Sequence, residues 1–564
     1  MKKRYLLPLA LLAFSSCSKD FLNQEDPNAV TIANYYKTET DVLLAVNGLY
    51  QGLRSGSTLG ESSTLYNEER SDNSGRNDNQ SSAGEPFQFN DFSILPSNTY
   101  LKTHWTAMYD AIARCNTLLA HVDNVKFNDE NLKERYKAEA KFVRALLYFH
   151  MVRKFGDIPL STVEVTSKEQ ANELAFRQKE EVVYAQIVKD LTEALSSNLP
   201  DTQHDYEIGR TSKAAINAIL GQVYLTMGST MPNNKQANFQ KAEQFLNASY
   251  GLRKFGKLNE IPYADVFDVS KKKTNKELVF QVEYLAGDQN YSSSIARNYQ
   301  ARGENINSLF KSTGSGEVVK LDLIKDYEEN DVRKDFSVKF AKDVQVNDWF
   351  VTKFRDVSTA AGTTGWGGND WILIRYADVM LLLAEAKMNL GKNSEAIELV
   401  NEVRARAGLS TYEVAQKDPS YKSKYPTLKD AILHERRVEL AFENQRWFDL
   451  VRNYNAQELV AYFKKKSQGD YGNAKISNIT TKDRYYPIPF DEYKLNPEKM
   501  YQNSGLLNNS TYENNYKSNY GLGFWNLLCG RFQKHKKTFN LKLHKIGSCQ
   551  KIILLVIFCL KIQN

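Results

Sequence analysis

Trp366 stands between glycines in the stretch TTGWGGND, residues 363–370. An aromatic so flanked serves no helix or strand, and the glycines let the backbone bend and carry the ring out of a scaffold. Asn369 and Asp370 follow it as hydrogen-bonding groups. Two other polar stretches hold similar side chains. Residues 55–100, rich in Ser, Asn, Gly and Asp, contain Tyr66, Asp72, Asn73, Arg76, Asn98 and Tyr100, and residues 285–318 contain Tyr291, Asn298 and Tyr299. Aromatic faces stack on the C–H face of a sugar ring, and planar amide, carboxylate and guanidinium groups hydrogen-bond in pairs to its hydroxyls. These residues are the candidate ligand contacts, with Trp366 first among them. Trp105, Trp371 and Trp447 lie in patterns that read as core and are expected to be buried.

Nothing comparable points to catalysis. Five histidines lie in the body, His104, His121, His150, His204 and His434, and none has metal-ligand spacing. The sequence has no GxSxG elbow and no phosphate-binding glycine loop. No catalytic residue, metal or cofactor is expected. The charges of HERRVELAFENQRWFDLVR (434–452) pair at helical spacing, Glu443 with Arg446 and Asp449 with Arg452. They read as a structural lattice joining helix to helix, with His434 solvated or capping. A glycoside hydrolase would need two carboxylates about 5–10 Å apart across a cleft, and no such pair is signalled.

Helices must position these loops. In 137–160, Ala138, Phe142, Ala145, Leu146, Phe149 and Val152 share one face, and Gly156 and Pro159 stop the helix. The stretch 209–228 repeats the pattern with Ile216, Ile219, Leu220, Val223 and Met227. Further helices are expected near 40–54, 101–123, 178–196 and 238–250. Residues 375–409 read as a helix pair, with Gly391 ending the first helix, Asn393 or Ser394 capping the second, and Gly408 closing it. Two similar helices joined by a short turn look like one tetratricopeptide-type unit. Thr427 and Asp430 form a capping-box pair for another helix. Strands are few, with one in KELVFQVEY (276–284).

The ends address the compartment. Lys2, Lys3 and Arg4 precede an apolar run from Tyr5 to Phe14, then Ser15, Ser16 and Cys17. This is a secretory signal over residues 1–16, too short to span a bilayer, which takes about 20 apolar residues. Cys17 stands where a lipoprotein cysteine is acylated; a plain signal with an incidental cysteine is the alternative. Cys115 lies in a helical pattern and reads as core. The chain carries +7 formally, but removing nine tail cations after Glu513 and three in the leader takes the body to −5. The basic balance belongs to the two ends and gives no reason to expect nucleic-acid binding.

In order along the chain stand CSKDFLNQEDPN, WTAMYDAIARCNTLL, AEAKFVRALLYF, MVRKFGDIPL, GRTSKAAINAILGQVYL, RYADVMLLLAEA, ERRVELAFENQRWFDLVR and YYPIPFDEYKLNPEKMYQNSGL. Their joint presence resembles the SusD/RagB family of Bacteroidetes surface lipoproteins, over most of the mature chain. The resemblance implies a mostly α fold, a tetratricopeptide-like helical-repeat scaffold of about four helix pairs with long irregular loops and few short strands. It implies a helical-repeat region with ligand loops over 17–250 and a C-terminal family region over 251–509. It further implies a non-enzymatic protein, lipid-anchored in the outer membrane through Cys17 and facing the exterior. Ser18, Lys19 and Asp20 look like that group's export signal. The implied partners are a nutrient glycan and a SusC-type TonB-dependent transporter. Peptide ligands, a secreted hydrolase and a helical scaffold for proteins alone are the alternatives. Family members end soon after the motif that reads QNSGL here (502–506), so 510–564 is expected to lie outside the fold, a functional basic tail being the alternative.

Overall fold

The computed structural model describes residues 35–75, 84–301, 303–311, 317–341, 347–472 and 474–505. Cys17, Arg76 and the stretch 510–564 lie outside the described residues. The helices of eight residues or more are α1 (Glu39–Leu53), α2 (Thr99–His121), α3 (Glu130–Phe155), α4 (Glu180–Leu195), α5 (Lys213–Thr230), α6 (Lys235–Gly251), α7 (Tyr376–Asn389), α8 (Asn393–Arg406), α9 (Leu428–Glu439), α10 (Arg446–Asn453) and α11 (Ala456–Lys464). They pack as α1 with α2, α3 with α4, α5 with α6 and α7 with α8. Successive pairs touch through α2–α3, α4–α5 and α6–α7. The scaffold is therefore a mostly helical, tetratricopeptide-like stack of four pairs.

Local chemistry sets the helix ends. The Thr38 hydroxyl accepts from the Asp41 N–H at 3.2 Å while the Asp41 carboxylate accepts from the Thr38 N–H at 2.8 Å, opening α1. The same reciprocal bonds join Thr427 and Asp430 at α9, both at 3.1 Å. Gly156, at φ 72°, ends α3, and Gly391, at φ 77°, follows Leu390, the C-cap of α7. At α8 Lys392 is the N-cap rather than Asn393 or Ser394, and its side chain makes no capping bond. Helices α3 and α5 are buried on nearly every face, so the apolar stripes legible in sequence are only part of their contact surface.

Among the described residues six short strands complete the frame: β1 (Ser74–Gly75), β2 (Leu278–Val282), β3 (Val318–Val319), β4 (Val338–Phe340), β5 (Trp349–Val351) and β6 (Trp371–Arg375). β1, β3, β5 and β4 form one sheet in that order, and β2 pairs antiparallel with β6, Val282 facing Trp371 and Leu278 facing Arg375. Every residue of β2 is buried, and Phe280 meets Phe142 of α3 edge-to-face at 5.0 Å. Trp105, Trp371 and Trp447 are all buried, as the sequence suggests.

Charge holds helix to helix inside the protein. Arg333 pairs with Glu435 at 2.6 Å and Glu439 at 3.0 Å, Arg375 with Glu439 at 2.6 Å and Glu443 at 2.7 Å, and Arg436 with Asp378 at 2.8 Å. Asp449 and Arg452 pair within α10 at 2.7 Å. Glu443 and Arg446 do not pair with each other: Glu443 turns to Arg375 and Lys353, and Arg446 to Asp72. His434 is buried rather than solvated, stacked on Tyr425 with ring centres 4.0 Å apart, because Asp326 and Glu328 face its two nitrogens.

Candidate functional site

A short helix, Thr359–Thr364, delivers Trp366. Ser358 caps it by accepting from the Ala361 N–H at 3.3 Å, and Gly365 leaves it at φ 77°. A Cβ on Gly365 would stand 2.9 Å from Arg297 Nη1, the movable end of a long side chain, so it is the left-handed backbone that favours glycine. The loop then joins the stretch before Ile295. The Trp366 carbonyl accepts from the Gly287 N–H at 2.8 Å, and Gly367 and Ser293 exchange two bonds of 2.8 Å. The Asp356 carboxylate fixes the turn by accepting from the Gly368 N–H at 2.6 Å.

This zipper builds an aromatic ledge. The Arg297 guanidinium lies 5.4 Å from the Trp366 ring centre and 5.5 Å from that of Phe310. Trp366 is half-buried and Tyr291 is 48% exposed. Arg54 covers the Tyr291 ring at 4.6 Å and donates to the Asn290 carbonyl at 2.9 Å. Leu285 and Leu309 add exposed apolar surface. Beside Arg54 opens a cavity of about 220 Å³, lined among others by Asn47, Tyr50, Gln51, Arg210 and Glu283. Rings flanked by guanidinium and amide groups can stack on one face of a ligand and hydrogen-bond its edge.

Other residues expected at a ligand surface are elsewhere. Asp72 and Asn73 are fully buried. The Asp72 carboxylate accepts from Arg446 at 2.8 Å and Tyr462 at 2.6 Å, while Asn73 donates to Glu68 at 2.8 Å and accepts from Arg437 at 3.0 Å. The expectation of an exposed loop here is corrected for a physical reason: the segment supplies the counter-charges that the arginines of α9 and α10 need inside the protein. Tyr66 is buried and stacked on His104 at 4.2 Å. Asn98 is buried as the cap of α2, accepting from the Leu101 N–H at 3.0 Å. Tyr299 is half-buried, its hydroxyl donating to Thr64 at 2.7 Å. Tyr100 is exposed, but on the first turn of α2, with its carbonyl accepting from Tyr66 rather than facing the ledge. Asn298 is exposed next to Arg297. Asn369 and Asp370 turn inward, to the Arg355 carbonyl at 2.8 Å and to Lys272 at 2.8 Å, and hold the loop rather than a ligand. The ledge thus unites Trp366 and Tyr291 with Arg54, Arg297 and Phe310, which sequence reasoning passed over. Arg54 ends a helix and reads as its last turn; only its position beside Tyr291 marks it.

The titratable groups serve the interior. His104 donates from Nδ1 to the Ser57 carbonyl at 2.7 Å and accepts from Lys154 at 3.0 Å, and burial holds it well below the usual imidazole range. Burial pushes Glu68 up to about 7 and Glu317 up to about 8, both inside the fold. Glu328, His434 and Glu435 come close enough to share a cation. Their carboxylates are held by Arg404 at 2.6 Å and Arg333 at 2.6 Å, which already neutralise them.

A family model described as the SusD family matches residues 337–506, and one described as starch-binding associating with outer membrane matches residues 20–225. SusD-like protein P2 of Formosa agariphila is 27% identical over 527 residues, covering 89% of this chain and all of its own length. A solved laminarin binding SusD-like protein is 27% identical, with a TM-score of 0.66 over 83% of this chain and 100% of its own. A SusD superfamily protein from Parabacteroides distasonis, 23% identical, shares the fold at a TM-score of 0.68 over 83% of this chain and 99% of its own. With family models on both halves of the sequence and the same helix-pair scaffold throughout, the chain belongs to the SusD/RagB family.

Proposed function

We propose that this protein is a cell-surface lipoprotein that binds a glycan at the Trp366 ledge and hands it to a SusC-type TonB-dependent transporter in the outer membrane. The observation that carries the binding step is the ledge itself, where Trp366 and Tyr291 are kept accessible beside guanidinium and amide groups on a rigid helical frame. The laminarin-binding relative supports a glycan as the ligand class, and the description of the N-terminal family model supports the outer membrane. The anchor in this reading is an acylated Cys17, since two or more chains hold a large soluble body stably at a bilayer.

A ring stacked on a sugar face contributes about 1–3 kcal/mol, by analogy with burial of a large apolar side chain, or roughly a 5- to 150-fold difference in affinity. Calorimetry with purified polysaccharides, on the parent and on Trp366→Ala, tests the reading, with circular dichroism as the folding control. Loss of affinity by that factor in a folded variant is the expected result. Unchanged affinity removes Trp366 from the site, and an array on which no glycan binds removes the ligand class.

A further inference from the structure

The ledge carries positive charge that the fold does not use. Several core arginines are tied to acids: Arg333, Arg375 and Arg437 each hold three carboxylates, whereas buried Arg177 is satisfied by carbonyls and Asn503. Arg54 and Arg297 are different. Among the described residues neither makes an ion pair; Arg54 reaches the Asn290 carbonyl, and Arg297 reaches the Asn298 side chain at 3.4 Å. Each instead lies over aromatic rings of the ledge, Arg54 over Tyr291 and Arg297 over Trp366 and Phe310.

The acids around them are spent on local backbone and on lysine. Glu61 accepts from the Ser294 N–H at 2.9 Å and the Ile295 N–H at 3.3 Å. Asp288 accepts from the N–H groups of Asn290 at 2.8 Å and Tyr291 at 3.1 Å. Asp356 accepts from the N–H groups of Ser358 at 3.0 Å and Gly368 at 2.6 Å, and Asp370 pairs with Lys272. The oxygens of these acids face the turns they hold. Glu283, exposed on the wall of the adjoining cavity, disfavours an anion deep inside it. Asp288 does the same at the Asn290–Tyr291 turn, so an anionic group is favoured on the guanidinium groups of Arg54 and Arg297 themselves.

We infer that the ledge selects acidic glycans, sugars bearing a carboxylate or a sulfate ester, with a ring face on Trp366 or Tyr291 and the anionic group on Arg297 or Arg54. The inference rests on the glycan-binding reading and names its substrate class. The planar guanidinium fork matches both anions, is weakly hydrated, and is held in place by the ring beneath it. A neutral sugar would desolvate the same groups without supplying a counter-charge.

The test is calorimetry on the full mature chain with polygalacturonate and alginate for the carboxylate, carrageenan for the sulfate, and laminarin and starch as neutral probes. Binding of a carboxylated or a sulfated probe is expected, and which of the two binds identifies the anion. Raising NaCl from about 50 to about 500 mM should weaken that binding at least about fivefold, because screening shortens to a few ångströms. Arg54→Gln or Arg297→Gln should weaken it about tenfold, since a hydrogen bond to a charged partner is lost, at unchanged melting temperature. The salt dependence of the parent protein needs no variant and stands if one misfolds. Binding of neutral probes alone overturns the inference and leaves the glycan reading in place. Acidic binding insensitive to salt and to both substitutions also overturns it. Binding of no probe overturns the inference together with the reading beneath it.

Discussion

Replacing Asp72 with asparagine removes a buried negative charge and keeps the side-chain size. In the parent its carboxylate lies 2.8 Å from Arg446, 2.9 Å from Lys466 and 3.3 Å from Arg437, with no solvent exposure. Arg437 and Lys466 keep Asp322, at 2.6 Å and 2.7 Å, after the change. Arg446 keeps no acid, only the Leu433 carbonyl and the Tyr462 hydroxyl. Leaving one buried charge uncompensated costs about 3–5 kcal/mol. Unfolding entropy near 60 °C is about 2.1 cal/mol/K per residue, so the about 450 described residues give roughly 1 kcal/mol/K and a drop of about 3–5 °C in melting temperature. Scanning calorimetry measures the drop, and glycan titration well below the transition should show unchanged affinity. Asp491→Asn, which breaks a half-exposed pair with Lys102, is the control and should move the transition by less than about 1 °C. The pH dependence has a definite sign. Burial alone would raise the Asp72 pKa, but Arg437, Arg446 and Lys466 carry it well below the usual range. Its contribution is thus present above the unfolded value of about 3.9 and is lost as pH falls through the folded one, so the gap between parent and variant narrows in acid. A melting point within about 1 °C of the parent at neutral pH would refute the reasoning. So would lost glycan binding at an unchanged melting point, which would return Asp72 to the ligand surface.

Glu317 should behave in the opposite sense: burial and the neighbouring Glu69 push it up to about 8, so its contribution is full below about 4.3 and is lost as pH rises through about 8. Glu317→Gln should therefore gain melting temperature over the parent at pH 9 relative to pH 5, and an equal difference at both pH values counts against this. Gly365→Ala forces a left-handed residue and pushes on Arg297 and Phe310; it should cost about 1–2 kcal/mol in stability and lower glycan affinity several-fold, whereas unchanged affinity would show that the ledge tolerates the shift. Cys17→Ala should release the protein from the membrane fraction, and mass spectrometry showing an unmodified cysteine at the mature N-terminus of the parent would rule out the anchor.

Much of the scaffold is written in local sequence. Capping boxes at Thr38 and Thr427, the glycines at 156 and 391, and apolar spacing along α3 and α5 need only neighbours within a few residues, so the helices and their order are legible. Trp366 and its glycines are legible too, because an aromatic in a glycine-rich turn has few local uses. Composition misleads where a polar segment is drawn into the interior. Residues 57–75 look like a solvated loop, yet Asp72 and Asn73 lie at 0% exposure, because arginines more than 360 positions later need their oxygens. Whether a polar side chain faces water or a buried charge is decided by its partner, and no local pattern names a partner so distant. The ledge follows the same rule. Arg54 ends a helix, Arg297 lies in the one-turn helix Ile295–Asn298, Phe310 lies in an irregular stretch and Trp366 follows the short helix Thr359–Thr364. Only the tertiary fold brings these four segments to one surface, because hydrogen bonds such as Gly287 to Trp366 and Ser293 to Gly367 join backbone positions that the sequence keeps more than 70 residues apart.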